Sequence, residues 1–68
     1  MRGDLMGALA YFDKAVKLTP SYLLNYYALA RIYQKLGQND RAIDIVRRGL
    51  MVDPSDERLL QILAELQG

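Results

Sequence analysis

Cysteine and histidine are both missing from these 68 residues. No disulfide can staple the chain, and a typical zinc site would lack its preferred ligands. The same gap removes a cysteine nucleophile and a histidine base. No glycine-rich stretch is present to cradle a phosphate, since Gly3 and Gly7 are sparse and sit among helix formers. Asp40 and Asp44 stand one helical turn apart, but isolated carboxylates on a charged surface are ordinarily just solvated. The inventory therefore predicts no enzyme, no metal site and no cofactor.

Charge of one sign is also lacking. Nine Lys and Arg are interleaved with eight Asp and Glu, for a net charge of +1. Nucleic-acid binding would need a basic stripe or patch, and none is legible. Long hydrophobic runs are absent as well. Leu5 to Phe12 is the nearest thing to one; Asp4 precedes it and Asp13-Lys14 closes it. That is too short for a membrane span and a poor match to a secretion signal. These features favour the cytoplasm and predict no membrane partner. A chain of this size buries only about 60% of its unfolded surface. With no staples, its stability has to come from good helix packing or from contact with another chain.

What is present is a repeat. Displaced by 34 residues, the sequence matches itself from end to end: Gly3 on Gly37, Ala8 on Ala42, Phe12 on Val46, Pro20 on Pro54, Ser21 on Ser55, Leu29 on Leu63 and Ala30 on Ala64. A fixed period of this length is the mark of stacked supersecondary units. The local pattern is helical throughout. Leu5, Ala8, Leu9, Phe12, Ala15 and Val16 form one stripe at three- and four-residue spacing. Tyr26, Leu29, Ile32, Tyr33 and Leu36 form a second. Ala42, Ile43, Val46, Gly49 and Leu50 make the third, and Leu59, Leu60, Leu63 and Leu66 the fourth.

The punctuation agrees with four helices. Gly37 suits the left-handed turn that ends a helix, and Asn39 or Asp40 can cap the next. Thr19-Pro20-Ser21 and Asp53-Pro54-Ser55 each interrupt the helical backbone, and each serine is a candidate N-cap. The expectation is all-α, with helices near 4–18, 22–36, 40–52 and 56–66. Turns this short favour antiparallel neighbours.

Tyr26-x-x-Leu29-Ala30-x-x-Tyr33, followed by Gly37, Ala42, Val46, Gly49 and Pro54, resembles the tetratricopeptide repeat. On that resemblance residues 1–20 look like the second helix of one repeat, 21–54 like a full repeat, and 55–68 like the first helix of another. The departures are Ala30 for the usual glycine, Val46 for an aromatic and Gly49 for alanine. The last costs roughly 0.5–1 kcal/mol of helix stability. Ala30, Ala42 and Gly49 would let helix backbones approach, while Tyr26, Leu29 and Tyr33 fill the wider gaps.

The resemblance implies a TPR-like α-solenoid of helix hairpins, and a non-enzymatic scaffold that binds a protein or peptide in a concave groove. The groove face maps onto Leu24, Tyr27, Arg31, Gln34, Lys35, Arg58, Gln61 and Glu65. An aromatic beside guanidinium groups suits a carboxylate or an apolar anchor. Solvated surface is the alternative reading for Arg31, Lys35 and Arg58, and for Arg47-Arg48. Tyr22 is a further contact candidate. One subfamily clamps acidic chaperone tails with Lys and Asn; here Tyr27, Ala28 and Arg31 stand in those places, which argues against that role.

Arrays of this kind normally need about three repeats with polar caps. The expectation is therefore self-association through Ala8, Phe12, Ala15, Leu60 and Leu63, or cover from neighbouring repeats of a longer chain. One uncovered Phe or Leu forfeits about 1.5–3 kcal/mol. Two other readings compete: a purely structural oligomer without external ligand, and a small helix-turn-helix nucleic-acid binder. The second would have to use Arg41 to Arg48, which carries two aspartates and a mostly apolar face.

Overall fold

The computed structural model describes residues 2–68, with side chains from residue 4 onward. Met1, where the first expected segment starts, lies outside the described residues. Four helices follow one another: α1 (Arg2–Leu18), α2 (Leu23–Lys35), α3 (Asn39–Val52) and α4 (Glu57–Gln67). Each end falls within two residues of the position expected from the sequence.

Consecutive helices pack on one another, and α2 also meets α4. The Cα envelope measures 33 × 30 × 15 Å. Its short dimension is what two helix layers produce, since an interaxial distance of about 8–10 Å adds to two Cα radii of about 2.3 Å. With three neighbours, α2 holds the largest share of buried residues: Asn25, Tyr26, Leu29, Ala30 and Ile32. Val46, Leu29, Leu59 and Ile62 have the largest fully buried side chains.

The small residues do what the pattern requires. Ala30 and Ala42 are completely buried. A Cβ at Gly49 would lie 2.6 Å from Leu59 Cδ1 and 3.1 Å from Tyr26 Cβ. Glycine is needed there because α2 and α4 both press against α3 at that point.

The turns correct the sequence reading in an instructive way. Tyr22 N–H donates to Thr19 O at 3.1 Å, and Asp56 N–H donates to Asp53 O at 3.2 Å. Pro20 and Pro54 thus take the second position of four-residue turns, where a fixed φ is favourable. The serines occupy the third position, so the N-caps move one residue on, to Tyr22 and Asp56. Ser21 and Ser55 are not caps. Asp56 accepts from Arg58 N at 3.0 Å, while Asp53 Oδ1 accepts from Ser55 N and Ser55 Oγ. Nor do Asn39 and Asp40 cap α3; its N-cap is Gln38, without a side-chain bond.

Gly37 behaves as expected. Its φ is +76°, and Gly37 N–H reaches Gln34 O while Gln38 N–H reaches Tyr33 O. This is the paired arrangement that satisfies the last carbonyls of a helix.

In α3 and α4 the buried face keeps Ala42, Val46, Gly49 and Leu59 but turns away from Ile43 and Leu60. Ile45 and Ile62 are buried, whereas Ile43 is half-buried and Leu60 is 43% exposed. Among the described side chains of α1 only Val16 is buried; Leu5, Ala8, Leu9, Phe12 and Ala15 are half-buried.

Candidate functional site

The residues expected to share a face do come together where α2 meets α4. Tyr27 and Arg31, one helical turn apart on α2, sit with the Arg31 guanidinium 5.5 Å from the Tyr27 ring centroid. Arg58, on the first turn of α4, places its own guanidinium 5.6 Å from the same centroid. Both distances are within the range where a ring quadrupole attracts a cation. Arg31 Nη1 donates to Gln34 Oε1 and to Glu65 Oε1, each at 2.8 Å. The second of these is an ion pair tying α2 to α4.

The electrostatics follow from that geometry. The Arg31 hydrogen bond, reinforced by Gln34, holds the Glu65 carboxyl below its ordinary value near 4.5. Arg31 is pushed up in turn, first by its bond to Glu65 and then by Tyr27. The face is thus an ionised pair beside an aromatic ring and a second guanidinium. Such a set can bind an anion or a flat apolar group.

The remaining expected residues lie less centrally. Leu24, Lys35 and Gln61 are exposed. Tyr22, the other aromatic candidate, is 53% exposed. Tyr26, by contrast, is a core residue, and its hydroxyl donates to Pro20 O at 2.6 Å. Asn25 is buried beside it and donates to Thr19 Oγ1. Thr19 Oγ1 in turn donates to Ala15 O. This polar lock fixes the α1–α2 corner and with it the first turn of the helix that carries Tyr27.

A second surface lies on α1. Ala8, Phe12 and Ala15 are half-buried there. Tyr11, set edge-on to Phe12 at 5.0 Å, is 68% exposed, and Leu18 is 71% exposed. Tyr11, Lys14, Ala15 and Leu18 line a shallow hollow. Sequence reasoning missed Tyr11 and Leu18 because they flank the main stripe rather than lie on it. At the other end Leu63 is half-buried and Leu60 exposed. Among the described residues no helix is long and apolar enough to cross a membrane, and no three potential ligand residues gather as a metal site would need.

Known proteins share this sequence pattern. A tetratricopeptide repeat family model matches residues 1–66. The chain belongs to the tetratricopeptide repeat family. Its sequence is similar to Protein CTR9 homolog of Arabidopsis thaliana, with 33% identity over 64 residues, which is 94% of this chain and 6% of that protein. It is also similar to DnaJ homolog subfamily C member 7 homolog of Dictyostelium discoideum, 40% identical over 48 residues, or 71% of this chain and 9% of that one. The chain therefore spans less than a tenth of either relative. Tetratricopeptide repeats are generally protein–protein interaction modules, and in this one α2 and α3 form the central helix pair.

Proposed function

We propose that this chain is a protein-interaction scaffold whose α2–α4 face receives a peptide or helix from a partner. One observation carries the reading. Tyr27 is approached by two guanidinium groups from different helices, an arrangement that packing alone does not require. Aromatic and arginine side chains are the types that dominate binding energy at protein interfaces. Leu24 and Gln61 extend the face along its two helices, and Lys35 stands at its α2 end.

The test is a peptide array probed with the wild-type chain and with Tyr27→Ala. Sequences bound by the first and lost by the second support the reading. An identical binding pattern for both would refute it. Retention of a short DNA or RNA duplex at low salt would instead favour the nucleic-acid reading, which the mixed charge of Arg41 to Arg48 argues against.

A second element concerns assembly. Leu60, Tyr11 and Leu18 are exposed at opposite ends of the helix order, and Phe12 is only half-buried on α1. The scaffold self-associates through Ala8, Phe12 and Ala15 on one side and Leu60 and Leu63 on the other, unless neighbouring repeats cover them. Light scattering across a concentration series reads this directly. Phe12→Glu and Leu63→Glu should each lower the mean mass; unchanged mass in both variants would overturn it.

A further inference from the structure

We propose that Glu65 is an internal competitor: it holds Arg31 until a carboxylate from the bound partner displaces it, so this face selects acidic segments. The inference rests on the proposed α2–α4 binding face and names the chemistry of what that face takes.

Three observations lead to it. First, charge is unbalanced at the site. Arg31 and Arg58 both stand within 6 Å of one ring centroid, while among the described residues the one ion pair they make is that of Arg31 with Glu65. Among the described residues no carboxylate lies within ion-pair distance of Arg58. Two cations sharing one aromatic ring thus retain a positive charge for a ligand to neutralise.

Second, the existing ion pair is the weaker kind. Arg31 reaches Glu65 through Nη1 alone, and shares that same nitrogen with Gln34. Guanidinium presents five N–H donors in a planar fork, and its strong complexes with carboxylates use two parallel bonds. The bonds to Gln34 and Glu65 both leave from Nη1, so neither uses Nε or Nη2. A partner's carboxylate can use donors that Glu65 leaves idle, and Arg58 is close enough to share it.

Third, the pair can be opened. The side chains of Arg31 and Glu65 are 33% and 40% exposed, so releasing Glu65 returns it to water rather than stranding a buried charge. Exchanging one anion for another costs little when both are solvated at the start.

The experiment uses fluorescence anisotropy with a labelled octapeptide of alternating Glu and Leu, and its Gln–Leu counterpart. The wild-type chain should bind the acidic peptide in preference to the neutral one. Glu65→Gln should tighten that binding about two- to fivefold, the range set by an exposed ion pair. Arg31→Ala should weaken it, and adding Glu65→Gln to Arg31→Ala should then give no gain. This cycle separates competition from a general change in charge. Asp44→Asn, a neutralisation on the exposed side of α3, should have no effect. Circular dichroism confirms that each variant keeps its helices.

Acidic-peptide binding that Glu65→Gln leaves unchanged or weakens would overturn the competitor role while leaving the binding face standing. A gain that persists in the Arg31→Ala background would also overturn it. Failure of both wild type and Glu65→Gln to distinguish the two peptides would overturn the acidic selectivity. Array sequences lost with Tyr27→Ala would then still support the face itself.

Discussion

Replacing Gly49 with alanine should destabilise the fold, even though alanine is the usual tetratricopeptide residue at that place and the better helix former. The propensity gain is about 1 kcal/mol. Against it stands the new methyl group, 2.6 Å from Leu59 Cδ1, 3.1 Å from Tyr26 Cβ and 3.2 Å from Tyr26 Cγ. A terminal methyl can ordinarily swing aside, but Leu59 is fully buried, so it must move against the surrounding core rather than into solvent. Tyr26 Cβ moves only with the α2 backbone, and the Tyr26 hydroxyl is anchored on Pro20 O. Relief therefore means prising α3 away from α2 and α4, with an overpacking cost of about 1–3 kcal/mol. Gly7→Ala is the control. Gly7 lies inside α1 with nothing within 4 Å of an added Cβ, so it should collect the propensity gain alone. The difference between the two variants isolates packing and should reach about 1–3 kcal/mol. For a domain of this size each kcal/mol moves the melting temperature by about 4–8 °C. Urea and thermal unfolding followed by far-UV circular dichroism measure both. Gly49→Ala stabilising as much as Gly7→Ala would refute the argument that close helix approach demands glycine.

Other consequences can be checked separately. Glu65 should titrate below the ordinary glutamate range, since its depressed carboxyl is stabilised by Arg31 and then Gln34. The α2–α4 link contributes above the unfolded glutamate pKa and is lost as pH falls through the lower folded value. An NMR titration of the Glu65 carboxyl should show this, and an unchanged midpoint in Arg31→Ala would contradict the cause given. Tyr26→Phe should cost about 1 kcal/mol in urea unfolding, because Pro20 O loses its donor in a part-buried site; an unaltered midpoint would mean that water replaces it freely. Asp56→Ala should cost about 1 kcal/mol through the lost helix cap, and more than Ser21→Ala, whose side chain caps nothing. Equal losses would show that the cap is misassigned.

Much of this fold is legible in the sequence, for reasons that can be stated residue by residue. Proline and glycine act locally, so Pro20, Gly37 and Pro54 mark the helix boundaries without knowledge of the tertiary structure. The 34-residue register likewise carries the pairing of α2 with α3. Burial is less local. Tyr26 and Leu60 share a register position, yet Tyr26 is in the core and Leu60 is 43% exposed. The difference lies in their neighbours: α2 is packed by three helices and α4 by two. The N-caps escaped for a geometric reason. A turn with proline second consumes the serine, and only the i→i+3 bond reveals that the helix begins one residue later. At the candidate site, helical spacing predicts that Tyr27 and Arg31 share a face. The approach of Arg58 and the bond to Glu65 depend on how α4 sits beside α2, which no single-helix pattern encodes.

Arg31 and Glu65 are 34 residues apart, so they occupy the same place in successive units and touch because of it. Stacking by a constant period makes every such position its own neighbour. A faithful duplicate of this segment would set arginine on arginine, and the repulsion would be renewed at each further copy. Divergence at that place then favours stacking, by the modest amount that an exposed pair contributes. An array of identical copies must keep it neutral, whereas an array of unlike copies can use it to specify which unit follows which.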